Sequence, residues 1–201
     1  IACEKKPGTY VYNLLCADPD NWRITEGACG LAHNGYMVSG GYVYYRDSGD
    51  NCFYKVRLQK QKGLQEKKKE LLGNMYLSAP VKSGKWIYGY TPQNDICRIA
   101  ADGSAQETVC ASLPVPAISG MNLKDGRLYV CGGYQRESPG MIGSIRLDGT
   151  DYKELYAASA AGEYFHNLNV TADRIVAAYC VGDHMTGTVS IDLDTNRQET
   201  Y

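Results

Sequence analysis

The polar side chains best suited to binding or catalysis occur in four short groups along the sequence. The groups are Asp47, Asp50 and Asn51; Gln93, Asn94 and Asp95; Gln135, Arg136 and Glu137; and Asp183 and His184. Carboxylate and amide oxygens are suitable ligands for calcium or another hard cation. Their spacing matches no known calcium loop, however, and the same residue types form turns. We therefore predict no metal and no cofactor, and we treat these residues as candidate ligand-binding residues.

Tyrosines recur in step with the four polar groups. Tyr45, Tyr90, Tyr134 and Tyr179 are spaced by 45, 44 and 45 residues, and each precedes one of the groups. Tyrosine combines an apolar ring with a polar hydroxyl and is common in recognition surfaces. The four rings therefore predict either a binding surface for a peptide or a sugar, or packing between neighbouring sheets.

Local signatures of catalysis are missing from the sequence. It has no G-x-S-x-G elbow, no Walker loop and no G-x-G-x-x-G. Its three histidines, His33, His166 and His184, form no H-E-x-x-H zinc motif. We therefore predict no catalytic residue. An enzyme built from one acidic residue or histidine in each of several repeats would leave no local motif, so the alternative is a hydrolase or lyase acting on an extracellular glycan or lactone.

The eight cysteines contain no C-x-x-C pair, so neither a zinc ribbon nor a thioredoxin-like redox site is predicted. Most of them lie in apolar, strand-like stretches and are expected to be small buried residues. Disulfides between Cys16 and Cys29, or between Cys97 and Cys110, remain open because cross-strand register is not visible in the sequence.

Composition narrows the range of partners. The 201 residues include 21 basic and 22 acidic side chains, and the net charge of -1 favours neither nucleic acid nor an anionic membrane. Hydrophobic residues make up 44%, which suits a folded chain, and no apolar run is long enough for a transmembrane helix. The opening Ile1-Ala2-Cys3 is similar to the end of a bacterial lipoprotein signal. Cys3 is then either the lipid anchor of an extracytoplasmic domain or a coincidental cysteine.

An internal repeat underlies the recurring groups. Asp102-Gly103, Asp148-Gly149 and Asp194-Thr195 follow one another at intervals of 46 residues, and Asp-Gly is a common hairpin turn. The 17 tyrosines and 22 glycines suit many short strands joined by tight turns. A period of about 40 to 45 residues with four strands per unit predicts an all-β fold, a β-propeller of antiparallel four-stranded blades.

The phasing predicts a single propeller domain with about four complete blades plus a half blade, as in a fragment of a larger propeller. The expected segments are a tail at 1–9, a half blade at about 10–29, and blades at about 30–73, 74–112, 113–158 and 159–201. The half blade should pack as the last two strands of a blade. The charged stretch at 61–72 predicts either a short inserted helix or a charged edge strand.

The repeated strands also resemble a known group of proteins. Tyr42-Val-Tyr-Tyr-Arg46 with Phe53-Tyr-Lys-Val-Arg-Leu58, and Ile145-Arg-Leu-Asp-Gly-Thr150 with Lys153-Glu-Leu155, are similar to bacterial propeller domains of unknown function. Those domains are related to TolB and to the YWTD propellers of the low-density-lipoprotein receptor type. Only the first tyrosine of the YWTD tetrapeptide is kept here. The resemblance implies a non-enzymatic, extracytoplasmic scaffold whose loops bind a protein or a glycan.

Overall fold

The computed structural model describes residues 2–5, 11–17, 24–57, 68–133 and 138–201, and up to residue 34 it describes the backbone alone. The regular structure of these residues consists of β-strands. Contacts divide the chain into two compact units. Unit 1 contains residues 1–89 and 98–107, and unit 2 contains residues 90–97 and 108–201.

The first sheet belongs to unit 1 and has six strands in chain order. The strands are β1 (Ala2–Lys5), β2 (Val11–Ala17), β3 (Ile24–Ser39), β4 (Tyr42–Asp47), β5 (Phe53–Arg57) and β6 (Glu70–Gly73). Each strand is antiparallel to its neighbours. Pairing therefore runs between segments that are close in the sequence, as the repeat predicts.

Strand β3 is 16 residues long and crosses the position at which we expected a new blade to begin. Its first part, from Ile24 to Ala32, pairs with β2, and its last part, from Tyr36 to Ser39, pairs with β4. The segment predicted as a half blade and the start of the first complete blade are thus parts of one continuous sheet. The blade boundaries themselves stay a prediction.

The other three sheets have four strands each, and consecutive strands are neighbours. The second contains β7 (Ser78–Ser83), β8 (Trp86–Tyr90), β9 (Ile96–Ala100) and β10 (Gln106–Cys110); the third contains β11 (Ile118–Lys124), β12 (Arg127–Gly132), β13 (Met141–Arg146) and β14 (Lys153–Ala157); the fourth contains β15 (Glu163–Val170), β16 (Arg174–Val181), β17 (His184–Asp192) and β18 (Gln198–Thr200). The prediction of an all-β fold with antiparallel blades is confirmed in the described residues, with four strands in three of the sheets and six in the first.

The predicted Asp-Gly turns join the third and fourth strands of their sheets. The carboxylates of Asp102 and Asp148 each accept a 2.9 Å hydrogen bond from the backbone N–H two residues later. Gly103 and Gly149 have φ angles of 77° and 82°, a conformation in which a Cβ atom would be strained. This strain explains why glycine follows aspartate in both turns.

In unit 2 a hydrophobic core lies between the third and fourth sheets. Phe165 is fully buried there, and its ring centroid lies 5.3 Å from that of Tyr156 and 5.7 Å from that of Tyr179. Ile142 and Ile175, from facing sheets, are buried in the same cluster. Residues Leu128 to Gly132 of β12 are buried in succession, so both faces of the third sheet pack against other residues.

A cation paired with a carboxylate recurs in the four sheets. The pairs are Lys55–Glu70 at 3.2 Å, Arg98–Glu107 at 2.7 Å, Arg127–Asp151 at 2.7 Å and Arg174–Glu199 at 3.0 Å. Arg98, on β9, lies 4.3 Å from the centre of the Trp86 ring on β8. In the third sheet the cation has moved to β12, and Arg127 donates a 3.1 Å hydrogen bond to the Ser144 hydroxyl on β13. Each sheet therefore keeps a cation–carboxylate pair. The cation is on β5 and β9 in the first two sheets and on β12 and β16 in the last two.

The cysteine predictions are partly resolved. The described cysteine side chains are free thiols: Cys52, Cys97, Cys110, Cys131 and Cys180. Cys97, Cys131 and Cys180 are buried, as expected, and a disulfide between Cys97 and Cys110 is not formed. The side chains of Cys16 and Cys29 lie outside the described residues.

The charged stretch at 61–72 ends as an edge strand. Glu70–Gly73 forms β6, which pairs with β5 at the side of the first sheet. Charged residues on an edge strand hinder pairing with other chains. Residues 61–67 lie outside the described part of the chain, so the helix alternative is not tested there.

Candidate functional site

The first candidate loop joins β4 to β5 in unit 1, and its acidic side chains stabilise the loop itself. Asp47 accepts a 2.8 Å hydrogen bond from the N–H of Gly49 and forms a 2.9 Å ion pair with Lys69. Asp50 accepts hydrogen bonds from the N–H of Cys52, at 2.9 Å, and from the hydroxyl of Tyr54, at 2.7 Å. The Tyr54 hydrogen bond lowers the pKa of Asp50, which keeps this carboxylate ionised.

Asn51 and Tyr45 belong to the same network. Asn51 has a φ of 59°, and its side-chain oxygen accepts a 2.9 Å hydrogen bond from Arg46. The Arg46 guanidinium stacks 3.9 Å from the centre of the Tyr76 ring. Tyr45 is only 4% exposed, and its ring centroid lies 6.0 Å from that of Tyr54. This contact joins neighbouring strands of the first sheet, so both predicted roles of the Tyr45 ring stay predictions.

The second candidate loop, between β8 and β9, holds the start of the third sheet. The side-chain oxygen of Asn94 accepts a 3.0 Å hydrogen bond from the N–H of Ile118, and Asp95 accepts a 2.8 Å hydrogen bond from the N–H of Ser112. The carbonyl oxygen of Asn94 also accepts a bond from Leu113. Tyr90, which precedes the loop, is 8% exposed. The Asn94 and Asp95 side chains are thus held by backbone N–H groups of the following segment, although both are partly exposed.

The third candidate group was Tyr134, Gln135, Arg136 and Glu137. All four residues lie outside the described part of the chain, so their predicted role stays a prediction. The glycines on either side are closely packed: a Cβ atom on Gly140 would lie 2.6 Å from the Cα of Tyr164. Only a residue without a side chain fits this approach between the third and fourth sheets.

Tyr179, in the fourth sheet, is bound to a residue that the sequence did not single out. Its hydroxyl donates a hydrogen bond to the carboxylate of Glu163, and this bond, together with partial loss of hydration and the nearby negative charge, raises the pKa of Tyr179 to about 12. Glu163 also accepts hydrogen bonds from the N–H groups of Ser159, at 2.9 Å, and Ala160, at 3.0 Å. These donors lower the pKa of Glu163. No local motif marks Glu163, because its partner Tyr179 lies on a different strand.

The β16–β17 hairpin differs from the other candidate loops. Asp183 and His184 are both exposed, and no hydrogen bond or ion pair to another described residue involves either side chain. Two apolar side chains flank them: Val181 is 43% exposed and Met185 is 68% exposed. We call residues 181–185 the terminal hairpin.

The candidate side chains therefore fall into two groups, those bound within the protein and those exposed to solvent. Asp47, Asp50, Asn51, Asn94, Asp95 and Tyr179 are each bound to neighbouring protein groups, whereas Asp183 and His184 are available to a ligand. Among the described residues no group of three His, Cys, Asp or Glu side chains could hold a metal ion. The described loops are suited to holding a fixed shape, and the terminal hairpin to making contacts.

Comparison with known proteins agrees with the architecture. No family model and no curated protein matches the chain. A chain of the nidogen/laminin complex is similar, with a TM-score of 0.57 and 12% identity over 96% of this chain and 90% of that one. A putative TolB from Agrobacterium tumefaciens has a TM-score of 0.61 and 14% identity over 95% and 73%. The chain has a β-propeller fold.

An oligogalacturonate lyase in complex with manganese is also similar, with a TM-score of 0.54 and 11% identity over 94% of this chain. This chain spans 58% of that enzyme. All three identities are too low to transfer an activity, so the similarities concern the fold alone. They support the predicted relationship to β-propellers, while the closer grouping with TolB-type propellers and bacterial domains of unknown function stays a prediction. In the described residues no helix is long and apolar enough to cross a membrane.

Proposed function

We propose that this domain is a non-enzymatic scaffold that works outside the cytoplasm and binds a protein or a glycan. The observation that carries the proposal is the contrast between its loops. Polar side chains of the loops after β4 and β8 are used in internal hydrogen bonds. The terminal hairpin instead exposes Val181 and Met185 beside Asp183 and His184. Apolar side chains exposed beside polar ones are typical of a surface that binds another protein.

The terminal hairpin is better matched to a protein than to a sugar. Protein interfaces combine an apolar centre with a polar rim, and methionine adapts readily to different partner surfaces. Sugar recognition would favour exposed aromatic rings, but Tyr45 and Tyr90 are only 4% and 8% exposed. The similar chain from the nidogen/laminin complex comes from a protein–protein assembly, which supports the same use of the fold.

The extracytoplasmic location rests on the resemblance to TolB-type and YWTD-type propellers. A lipid anchor at Cys3 would suit that location. We also include Tyr134, Gln135, Arg136 and Glu137 in the proposed binding surface, since they follow the second strand of a blade as the terminal hairpin does. Both points are parts of the proposal.

An array of purified extracellular proteins and oligosaccharides, probed with the labelled domain, tests the proposal. The double variant Val181→Asp/Met185→Glu places charge at the centre of the terminal hairpin. The matched control is Leu71→Asp, because Leu71 is 58% exposed on the edge strand of the first sheet. We expect the double variant to bind array ligands at least about tenfold more weakly, since a few central residues dominate most interfaces. The control should bind like the wild type.

Two outcomes would contradict the proposal. Equal binding by the double variant, the control and the wild type would exclude the terminal hairpin as the binding surface. Cleavage of an oligosaccharide, detected as new products by mass spectrometry, would support the alternative of a hydrolase or lyase.

A further inference from the structure

Three soft metal-ligating groups lie on one face of the fourth sheet. The Nε2 atom of His166, on β15, is 3.1 Å from the Sγ atom of Cys180, on β16. Cys180 is paired directly with Met185 on β17, and directly paired residues of an antiparallel sheet project to the same face. An imidazole, a thiol and a thioether are therefore brought together from three adjacent strands.

This face is not the one that forms the core of unit 2. Phe165 and Tyr179 adjoin His166 and Cys180 in the sequence, and both contribute to the packed cluster. Successive residues of a strand point to opposite faces, so His166 and Cys180 point away from that cluster. Cys180 is only 2% exposed, whereas Met185 is 68% exposed. The thiol is thus sheltered, and the thioether is at the surface with room to move.

The chemistry of the three groups selects a soft ion. Thiolate and thioether sulfur atoms prefer Cu(I), and imidazole also binds copper. Hard cations require oxygen ligands, which this set of side chains does not supply. We infer that His166, Cys180 and Met185 form a binding site for one Cu(I) ion. On binding, the Cys180 thiol releases its proton to solvent, and each of the three groups donates a lone pair to the ion. The copper is neither oxidised nor reduced.

Two other buried thiols have harder neighbours. The Sγ atom of Cys97 is 3.5 Å from the Thr108 hydroxyl, and that of Cys131 is 3.9 Å from the Ser119 hydroxyl. A hydroxyl group is a poor ligand for Cu(I). Cys180 has Tyr164 as its direct partner on β15, but it also has an imidazole in contact and a thioether as its direct partner on β17.

Competition for Cu(I) against a coloured chelator, in oxygen-free reducing buffer, tests the site. The wild-type chain should take one equivalent of Cu(I) from the chelator. Cys180→Ser and His166→Gln should weaken binding by at least about tenfold, because even groups that only support metal ligands contribute about 10- to 100-fold. Met185→Leu keeps the apolar volume but removes the sulfur, and it should weaken binding measurably.

Cys52→Ser and Cys97→Ser are the controls for binding by any thiol, and both should keep wild-type affinity. An equal loss in Cys52→Ser, or wild-type affinity in Met185→Leu, would overturn the site. Met185→Leu decides the matter if Cys180→Ser fails to fold, since position 185 is exposed. Met185→Leu removes the sulfur atom but preserves the apolar surface of the terminal hairpin. It therefore tests Cu(I) binding separately from the proposed binding of a protein or glycan.

Discussion

The side-chain oxygen of Asn94 accepts a 3.0 Å hydrogen bond from the N–H of Ile118, the first residue of β11. The two residues lie 24 positions apart. Asn94 also has a φ of 62°, a conformation that asparagine adopts more readily than most residues. The hydrogen bond holds the start of the third sheet against the loop that follows β8. Asn94 therefore has a structural task in addition to any contact with a ligand.

Removing the side-chain oxygen of Asn94 should loosen the start of β11. We expect Asn94→Ala to lower the free energy of unfolding by about 1–3 kcal/mol, because the buried N–H of Ile118 loses its acceptor. Asn94→Asp keeps an acceptor and should lose less. Urea denaturation measures the stability, and hydrogen exchange at Ile118 measures the local effect. Unchanged protection of that amide in Asn94→Ala would contradict the assignment.

Gly132 should be intolerant of a side chain. A Cβ atom there would press on the carbonyl oxygen of Pro116 and lie 2.7 Å from that of Ala117. Both obstacles are backbone, so we expect Gly132→Ala to cost about 1–3 kcal/mol in unfolding free energy. The control is Gly49→Ala, whose Cβ would meet only the Asp47 carboxylate, at 3.2 Å. Similar urea midpoints for the two variants would argue against the close approach at Gly132.

Phe165 should be far more sensitive to truncation than an exposed residue of the same unit. It is fully buried between two aromatic rings, and Phe165→Ala should destabilise the chain by about 3–5 kcal/mol through lost burial and a cavity. Met185→Ala, at a position that is 68% exposed, should change stability by no more than about 0.5 kcal/mol. Thermal unfolding compares them. Equal melting temperatures would show that Phe165 is not in the core.

The Glu163–Tyr179 hydrogen bond predicts an acid-sensitive fourth sheet. The hydrogen bond from Tyr179 is the largest of the interactions that lower the pKa of Glu163. A carboxyl group with a lowered pKa in the folded state contributes stability above its unfolded pKa, near 4.3, and loses it as the pH falls through the folded value. Glu163→Gln should therefore reduce stability at neutral pH and flatten its decline in acid. Parallel urea midpoint curves for the variant and the wild type would contradict this coupling.

Cys131 should resist alkylation in the native state. Burial raises the pKa of its thiol to about 12, and the thiolate is the form that reacts. Cys110 is only half-buried. It should therefore be modified before Cys131 when the native chain is treated with iodoacetamide at mildly alkaline pH. Peptide mapping gives the modified fraction at each site. Labelling of native Cys131 as fast as Cys110 would contradict its buried position, and unfolded chain should label at both.

Local signals in the sequence are sufficient to predict the strands and turns of this protein. Alternating apolar residues and Asp-Gly turns act through neighbours in the chain, so the sequence by itself places Asp148-Gly149 at a hairpin. The regular interval between such turns is sufficient for the propeller architecture as well. The described polar groups lie in the predicted loops for the same reason, although the sequence does not reveal what each side chain contacts.

The partners of those side chains were decided only by the tertiary structure. Cross-strand register determines that Tyr44 faces Lys55 in the first sheet, whereas Tyr129 faces Ser144 in the third. The cation of the third sheet is instead Arg127, two residues before Tyr129 on the same strand. Similarly, Glu163 becomes the partner of Tyr179, and β3 runs through a position where the repeat predicted a break. Contacts between distant residues depend on which strands pair and in what register, and a one-residue change of register would reverse every face.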